Sequence, residues 1–173
     1  IRDCWYLIDK DKDISLDNVA LINNFLGGVD EDWFVTVHVC IENAASEAIS
    51  SLIALIDETS ESKIEMHLNN ILESLKEVNH IFKRMPEKCD PYIYYHRVRP
   101  YIFGWKNNPD LPKGLIYDGL FKNRPQQFRG ETGAQSSIIP LLDALFSVKH
   151  KKDSLRDYLE EMLLYMPPAH REL

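Results

Sequence analysis

The chain has 173 residues, 45% of them hydrophobic and 27% charged, with a formal net charge of -7. That length suits about one domain, at roughly 100–200 residues per domain, and such a chain buries roughly 70% of the surface it exposes when unfolded. The acidic balance argues against nucleic acid, whose binders concentrate basic charge on one face, and no apolar run approaches the roughly 18 residues that span a bilayer.

Ile1-Arg2-Asp3-Cys4-Trp5 has neither a signal-peptide layout nor an initiator Met, so the chain is expected to start inside a longer protein. Cys4, Cys40 and Cys89 are odd in number and widely spaced, which suits reduced thiols in the cytoplasm rather than a disulfide or zinc framework. Asp9-Lys10-Asp11-Lys12-Asp13 begins like a calcium loop. It then has Ile14 where the sharp turn needs Gly and Ala20 where a bidentate Glu belongs, so it reads as a solvated loop.

Helices separated by Pro and Gly follow, with no convincing strand alternation. Ser15 is placed to cap a short helix over 16–26, closed by Gly27-Gly28. Asp30 opens a long helix to about Ile56, with Trp33, Val37, Cys40, Ile41, Ala44, Ala48, Ile49, Leu52 and Ile56 at helical spacing. So much of it is apolar or small that burial on most of its circumference is expected. A third helix, from about Glu61 to Arg84, carries the stripe Ile64, Leu68, Ile71, Leu72, Leu75, Val78 and Phe82 and ends at Met85-Pro86.

Asp90-Pro91 is a helix start, a carboxylate at the N-cap followed by Pro in the first turn. From Gly104 to about Ala134 the pattern fails, with three prolines and five glycines. A loop that long in a compact domain is functional or disordered. Two further helices are expected near 136–148 and 153–165, the first tolerating Pro140 if it lies in the opening turn. The basic run Lys149-His150-Lys151-Lys152 reads as a solvated helix end.

No HExxH, GxSxG, Walker or GxGxxG pattern is present among the six histidines and the glycines, which leaves ordinary zinc, hydrolase and nucleotide chemistry without local support. His38 differs from the other histidines in lying within the buried-looking helix, one turn after Phe34. It is either a hydrogen-bonded core histidine or one facing a cofactor cavity. On the helix after Pro91, Tyr94, Tyr95, Val98, Arg99 and Ile102 fall within an arc of about 140°, with Arg97 on the opposite side. An arginine among rings needs an anion. That anion is either an internal carboxylate or the carboxylate of an aromatic ligand gripped by the guanidinium. Pro100 leaves the carbonyl of His96 without its helical donor and is placed to kink the helix there.

Four strings resemble indoleamine 2,3-dioxygenases in wording, order and interval. They are Asp32-Trp33-Phe34-Val35-Thr36-Val37-His38, Arg99-Pro100-Tyr101-Ile102-Phe103-Gly104-Trp105, the stretch from Phe128 through Gly130-Glu131-Thr132-Gly133 to Ser137, and Tyr165-Met166-Pro167-Pro168-Ala169-His170-Arg171-Glu172. The likeness is weakest before about residue 25. It implies an all-α fold, a large helical domain holding one haem b beneath a smaller helical domain. Residues 1–28 would end the small domain or form a linker, and 29–173 would begin the large one.

The activity implied is haem-dependent opening of the indole ring of L-tryptophan or another indoleamine with O2, giving N-formylkynurenine. The protein would supply a dry pocket, orientation and tuning of the iron. By resemblance, Arg99 holds the substrate carboxylate, Tyr94 and Tyr95 line the indole pocket where Phe is usual, and Phe34 lies over the distal haem face. His38 would face the iron's open side as the catalytic-site histidine. Gly130, Glu131, Thr132 and Gly133 match a mobile distal loop, with Thr132 as its hydroxyl donor near the substrate ammonium or a haem propionate. The Tyr-for-Phe and Glu131 departures make the pocket more polar.

The family's proximal histidine lies downstream of the Pro-Pro-Ala-His-Arg segment, and His170 does not match it. No metal ligand is therefore assigned, and the chain is expected to be a fragment that binds haem poorly alone. The implied partners are a small-molecule substrate and O2, without nucleic acid or membrane, acting on a monomer. Two other functions fit the same scaffold. One is oxygen binding, as in molluscan myoglobins built on this family, and the other is an inert helical packing module.

Overall fold

The computed structural model describes residues 4–172; residues 1–3, which belong to the signal-peptide argument, and Leu173 lie outside them. Strands β1 (Trp5–Leu7) and β2 (Val19–Leu21) pair antiparallel, with Tyr6 opposite Ala20. This corrects the expectation of a helix over 16–26 and of no strands. Asn18 is the physical reason. Its buried side-chain carbonyl accepts from the Asp9 amide, and its amide group donates to the carbonyls of Asp9, Lys12 and Asp13. Ser15 accepts from the Asn18 amide in a turn instead of capping a helix. A two-stranded hairpin is marginal alone; this one buries Val19 against Trp33 and Val37 of the following helix.

Helix α1 (Val29–Leu55) starts after Gly27 and Gly28, whose φ of +79° and +111° are conformations that favour glycine. Asp30, Glu31 and Asp32 in its first turn complement the helix dipole. Burial on all sides holds only in its first part, where Glu31, Trp33, Thr36, Val37, Val39 and Cys40 are buried in different directions. Further on it presents a single face to α2, with Ala45, Ala48 and Ser51 buried and Ile56, just past its end, exposed.

Helix α2 (Glu61–Lys83) buries Ile71, Ser74 and Ile81. Leu68, Leu72 and Phe82, expected within its stripe, are exposed. The hydroxyl of Ser74, donating to the Ala44 carbonyl at 2.6 Å, draws the contact face toward the polar side of that stripe. Trp33 ties the two helices together. Its indole N–H donates to the carbonyl of Arg84, the C-cap of α2, at 3.0 Å, and the Lys88 ammonium lies 4.3 Å from its ring. Burial pushes the Cys40 thiol up to about 11, so it packs as a neutral group.

The Asp90 carboxylate caps α3 (Pro91–Ile93) as predicted, accepting from the amides of Tyr92 and Ile93. The Asp90 amide donates to Asp30, anchoring this start to α1. A π-helical turn, Tyr94–Val98, follows and leads into α4 (Arg99–Ile102). Within the π turn the Arg99 amide donates to the Tyr94 carbonyl five residues back. Pro100 has no amide hydrogen for His96, so the register change falls where the sequence removes a helical bond.

The stretch from 104 to 134 is ordered by bridges from Gly104 to Arg129 and from Leu115 to Gln126. It is held to α6 (Ser154–Leu163) by Glu161, which takes the Arg129 guanidinium on both oxygens and also pairs with Lys106. Helix α5 (Ile138–Leu145) carries Pro140 in its first turn, Asp153 caps α6 by accepting from the Arg156 amide, and α7 (Pro168–Arg171) closes the described chain. Among the described residues no helix is long and apolar enough to cross a membrane.

Candidate functional site

A cavity of about 250 Å³ opens between the start of α1, the π turn and the segment before α5. Phe34 and Tyr94 form its aromatic wall, stacked with ring centroids 4.0 Å apart at 23°. His38, one turn beyond Phe34, leans on the same ring at 4.3 Å. Its Nδ1 lies 2.8 Å from the Phe34 carbonyl, which only accepts, so Nδ1 carries the proton. Nε2 is then the nitrogen left for a ligand, and it faces Gly133, where an added Cβ would stand 3.8 Å away.

Burial pushes the Tyr94 phenol up to about 12 against the opposing effect of the Arg99 charge, with Cys89 and Glu31 adding to the rise. The phenol therefore stays neutral in any ordinary buffer. Arg99 is half-buried on the same wall, beside fully buried Val98. Its guanidinium lies 5.6 Å from the Phe103 ring, and no carboxylate among the described residues pairs with it. A half-buried cation without a carboxylate partner among the described residues, next to a stacked aromatic wall, suits an anionic group carried on an aromatic body.

Glu131, Thr132 and Gly133 also line the cavity. The Thr132 hydroxyl accepts from the Ala134 amide at 3.4 Å. Gly130 stands outside the cavity and anchors the loop. Its amide donates to the Phe103 carbonyl, its carbonyl accepts from Gln135, and a Cβ there would come 1.7 Å from the Ile102 oxygen. Only glycine permits that approach between α4 and the loop.

Tyr95 departs from its predicted place. It is 63% exposed, packs edge-on against His96 and does not line the cavity. The 140° arc assumed a regular helix, whereas the π turn rotates successive side chains by less and carries Tyr95 outward while keeping Tyr94, Val98, Arg99 and Ile102 on the cavity.

The wall that sequence reasoning missed is made by Leu21, Asn23, Asn24 and Phe25, with Cys4 and Glu31 beside them. Its signal was present in the three acidic residues opening α1, which composition alone reads as a dipole complement. A second cleft, of about 530 Å³, lies between α5 and α6 and shares Gly133 with the first. Its sides include Ile139, Pro140, Ala144, Leu159 and Leu163, with Lys149 and Arg156 also lining it. His150 lines it too and bonds Asp143 through Nε2 at 2.6 Å. Among the described residues no three His, Cys, Asp or Glu side chains are grouped to hold a metal ion.

These features define a helical protein whose aromatic cavity includes an arginine that no carboxylate among the described residues pairs with, a class suited to small amphoteric ligands. Residues 4–173 match the family Indoleamine 2,3-dioxygenase, and the chain belongs to it. It is 37% identical over 172 residues to indoleamine 2,3-dioxygenase 1 of Rattus norvegicus, covering 96% of this chain and 42% of the rat protein. It is 32% identical over 174 residues to indoleamine 2,3-dioxygenase of Saccharomyces cerevisiae, covering 92% of this chain and 38% of the yeast protein. The 6-hydroxytryptophan 2,3-dioxygenase of Fusarium equiseti is 27% identical over 162 residues, with 91% of this chain and 39% of that protein covered. The chain thus spans about two fifths of the length of these relatives.

Proposed function

We propose that the protein acts as a haem-dependent dioxygenase, opening the indole ring of L-tryptophan or a related indoleamine with O2 to give N-formylkynurenine. The observation that carries this reading is Arg99, half-buried beside the Phe34–Tyr94 stack and unpaired by any described carboxylate. The guanidinium takes the substrate carboxylate in a charge-assisted bidentate contact, and the two rings receive the indole. Thr132 and His38 line the same cavity, where the reacting edge of the indole would lie. Family membership supports the class of chemistry, and the fungal relative named for 6-hydroxytryptophan supports indole amino acids as a group rather than one member.

On this reading a haem would lie on one side of that cavity. The second cleft has apolar sides that would suit a flat macrocycle and meets the substrate cavity at Gly133; Lys149 is a cation on its lining, whereas Arg156 is already paired with Glu160. When bound, the haem supplies the iron on which O2 is activated. This chain's residues would orient the indole against it and exclude water. On this reading residues 29–173 open the haem-binding domain and 1–28 close the smaller one or link to it.

His38 favours a second reading, oxygen binding without turnover, because its Nε2 faces the junction at Gly133. Arg99 decides between them, since storing O2 needs no carboxylate clamp. Supplying the complete haem-loaded protein with reductant, O2 and tryptophan should yield N-formylkynurenine at many equivalents per haem. Reversible O2 uptake with no such product would make the second reading the correct one.

A further inference from the structure

Glu31 is a buried carboxylate, 3% exposed, on the first turn of α1, and the cavity-lining role described above does not account for its contacts. Its two oxygens accept three consecutive backbone amides, those of Phe25 at 2.7 Å and of Leu26 and Gly27 at 2.9 Å each. Successive amides converging on one anion form a nest, and here the anion is supplied by the protein itself. One position further on, Asp32 accepts from the side-chain amide of Asn24. The strap over 23–27 is therefore buckled twice to the helix that, one and two turns later, delivers Phe34 and His38 to the same cavity.

Among the described residues the strap has little else to hold it. Gly27 and Gly28 follow it with positive φ and nothing within 4 Å of an added Cβ, and Phe25 is 65% exposed. Asn23, Asn24 and Phe25 nevertheless line the same cavity as the aromatic stack. Without the buckle, three amides would lose their acceptor, and the wall they carry would have no fixed distance from Tyr94 and Arg99.

We infer that Glu31 is a positioning residue that fixes the strap as a wall of the substrate cavity and so sets how large an indole amino acid the cavity selects. This rests on the proposed function for the identity of the ligand, but not for the buckle. Gln at position 31 keeps the shape yet accepts through one oxygen only and turns an N–H donor toward a backbone donor, so at least one amide is released.

The test uses the complete haem-loaded protein and its Glu31→Gln and Asn24→Ala variants. Amide hydrogen exchange at Phe25, Leu26 and Gly27 should rise about tenfold or more in Glu31→Gln, while amides of 35–45 keep their protection. Maleimide labelling of Cys4, which lines the same cavity, should quicken, with buried Cys40 and Cys89 unchanged. The KM for tryptophan should rise about tenfold with kcat within about twofold, and discrimination against bulkier ring-substituted tryptophans should relax. Asn24→Ala, which cuts only the outer buckle and leaves the core intact, should show a smaller rise in exchange. Unchanged exchange at 25–27 in both variants overturns the buckle. Raised exchange with unaltered KM and unaltered discrimination overturns the role in selection. Should the parent protein turn over no indole amino acid, the proposed function falls, while exchange and Cys4 labelling still decide whether Glu31 fixes the wall.

Discussion

The two halves of this chain are held together by different physics, and the candidate site straddles the join. From the hairpin through α4 the structure rests on apolar burial, with Val19, Trp33, Val37, Val39, Cys40, Ile81 and Cys89 in one cluster. From Gly104 onward Ile138, Met162 and Met166 are the only buried hydrophobics among the described residues, and the long loop is tied down by the Arg129–Glu161–Lys106 cluster and a few bridges. The first half supplies the aromatic wall, His38 and Arg99; the second supplies Glu131, Thr132 and Gly133. A rigid wall thus faces a wall that polar contacts hold, which is how a site can be preorganised on one side and adjustable on the other.

The largest effect should come from the apolar half. Trp33→Ala removes a side chain only 4% exposed together with its bond to the Arg84 carbonyl, and should cost about 3–5 kcal/mol in denaturant unfolding. A loss below about 1 kcal/mol would mean that the first half is not the rigid one.

Next in size is Arg99→Ala, which should weaken productive tryptophan binding by about 2–5 kcal/mol while leaving the melting temperature nearly unchanged, because no described internal carboxylate loses a partner. A large drop in melting temperature instead would place Arg99 among the structural cations.

Acid should loosen the polar half first. The Arg129 and Lys106 contacts hold the Glu161 carboxyl at about 2, below its ordinary 4.5. A depressed carboxylate pKa contributes stability that is complete above the unfolded value and is lost as pH falls from about 4.5 toward about 2. Exchange at amides of 104–130 should therefore accelerate over that window before those of 33–40 do, and Glu161→Gln should remove the pH dependence. Simultaneous loosening of both halves would erase the distinction.

The smallest effect belongs to Tyr95→Ala, within about 0.5 kcal/mol for both stability and tryptophan affinity, because the side chain is exposed and off the cavity. Tyr94→Ala should cost at least the 0.5–1.5 kcal/mol of an aromatic pair in affinity, roughly estimated. Equal effects at the two positions would contradict the π-turn register.

What the sequence made legible follows from which forces are local. Helix spacing found α1 and α2, and the capping signal at Asp90 and the break at Pro86 were read correctly, because each depends on a few neighbouring residues. The hairpin was hidden because β2 is only three residues long and its register depends on Asn18 reaching back to Asp9. Tyr95 was misplaced because the π turn depends on a bond across five residues that helical periodicity does not contain. Phe34, His38, Tyr94 and Arg99 came together as expected, whereas the strap held by Glu31 requires contacts that only the folded chain displays.

The central claim is that the Arg99 charge is reserved for a ligand's carboxylate. Comparing L-tryptophan with tryptamine, which lacks that group, in the complete protein and in its Arg99→Ala variant isolates the interaction. Tryptophan should bind the parent at least about tenfold better than tryptamine, and the preference should vanish in the variant, a difference of about 1.4 kcal/mol or more. An undiminished preference in Arg99→Ala would contradict the account.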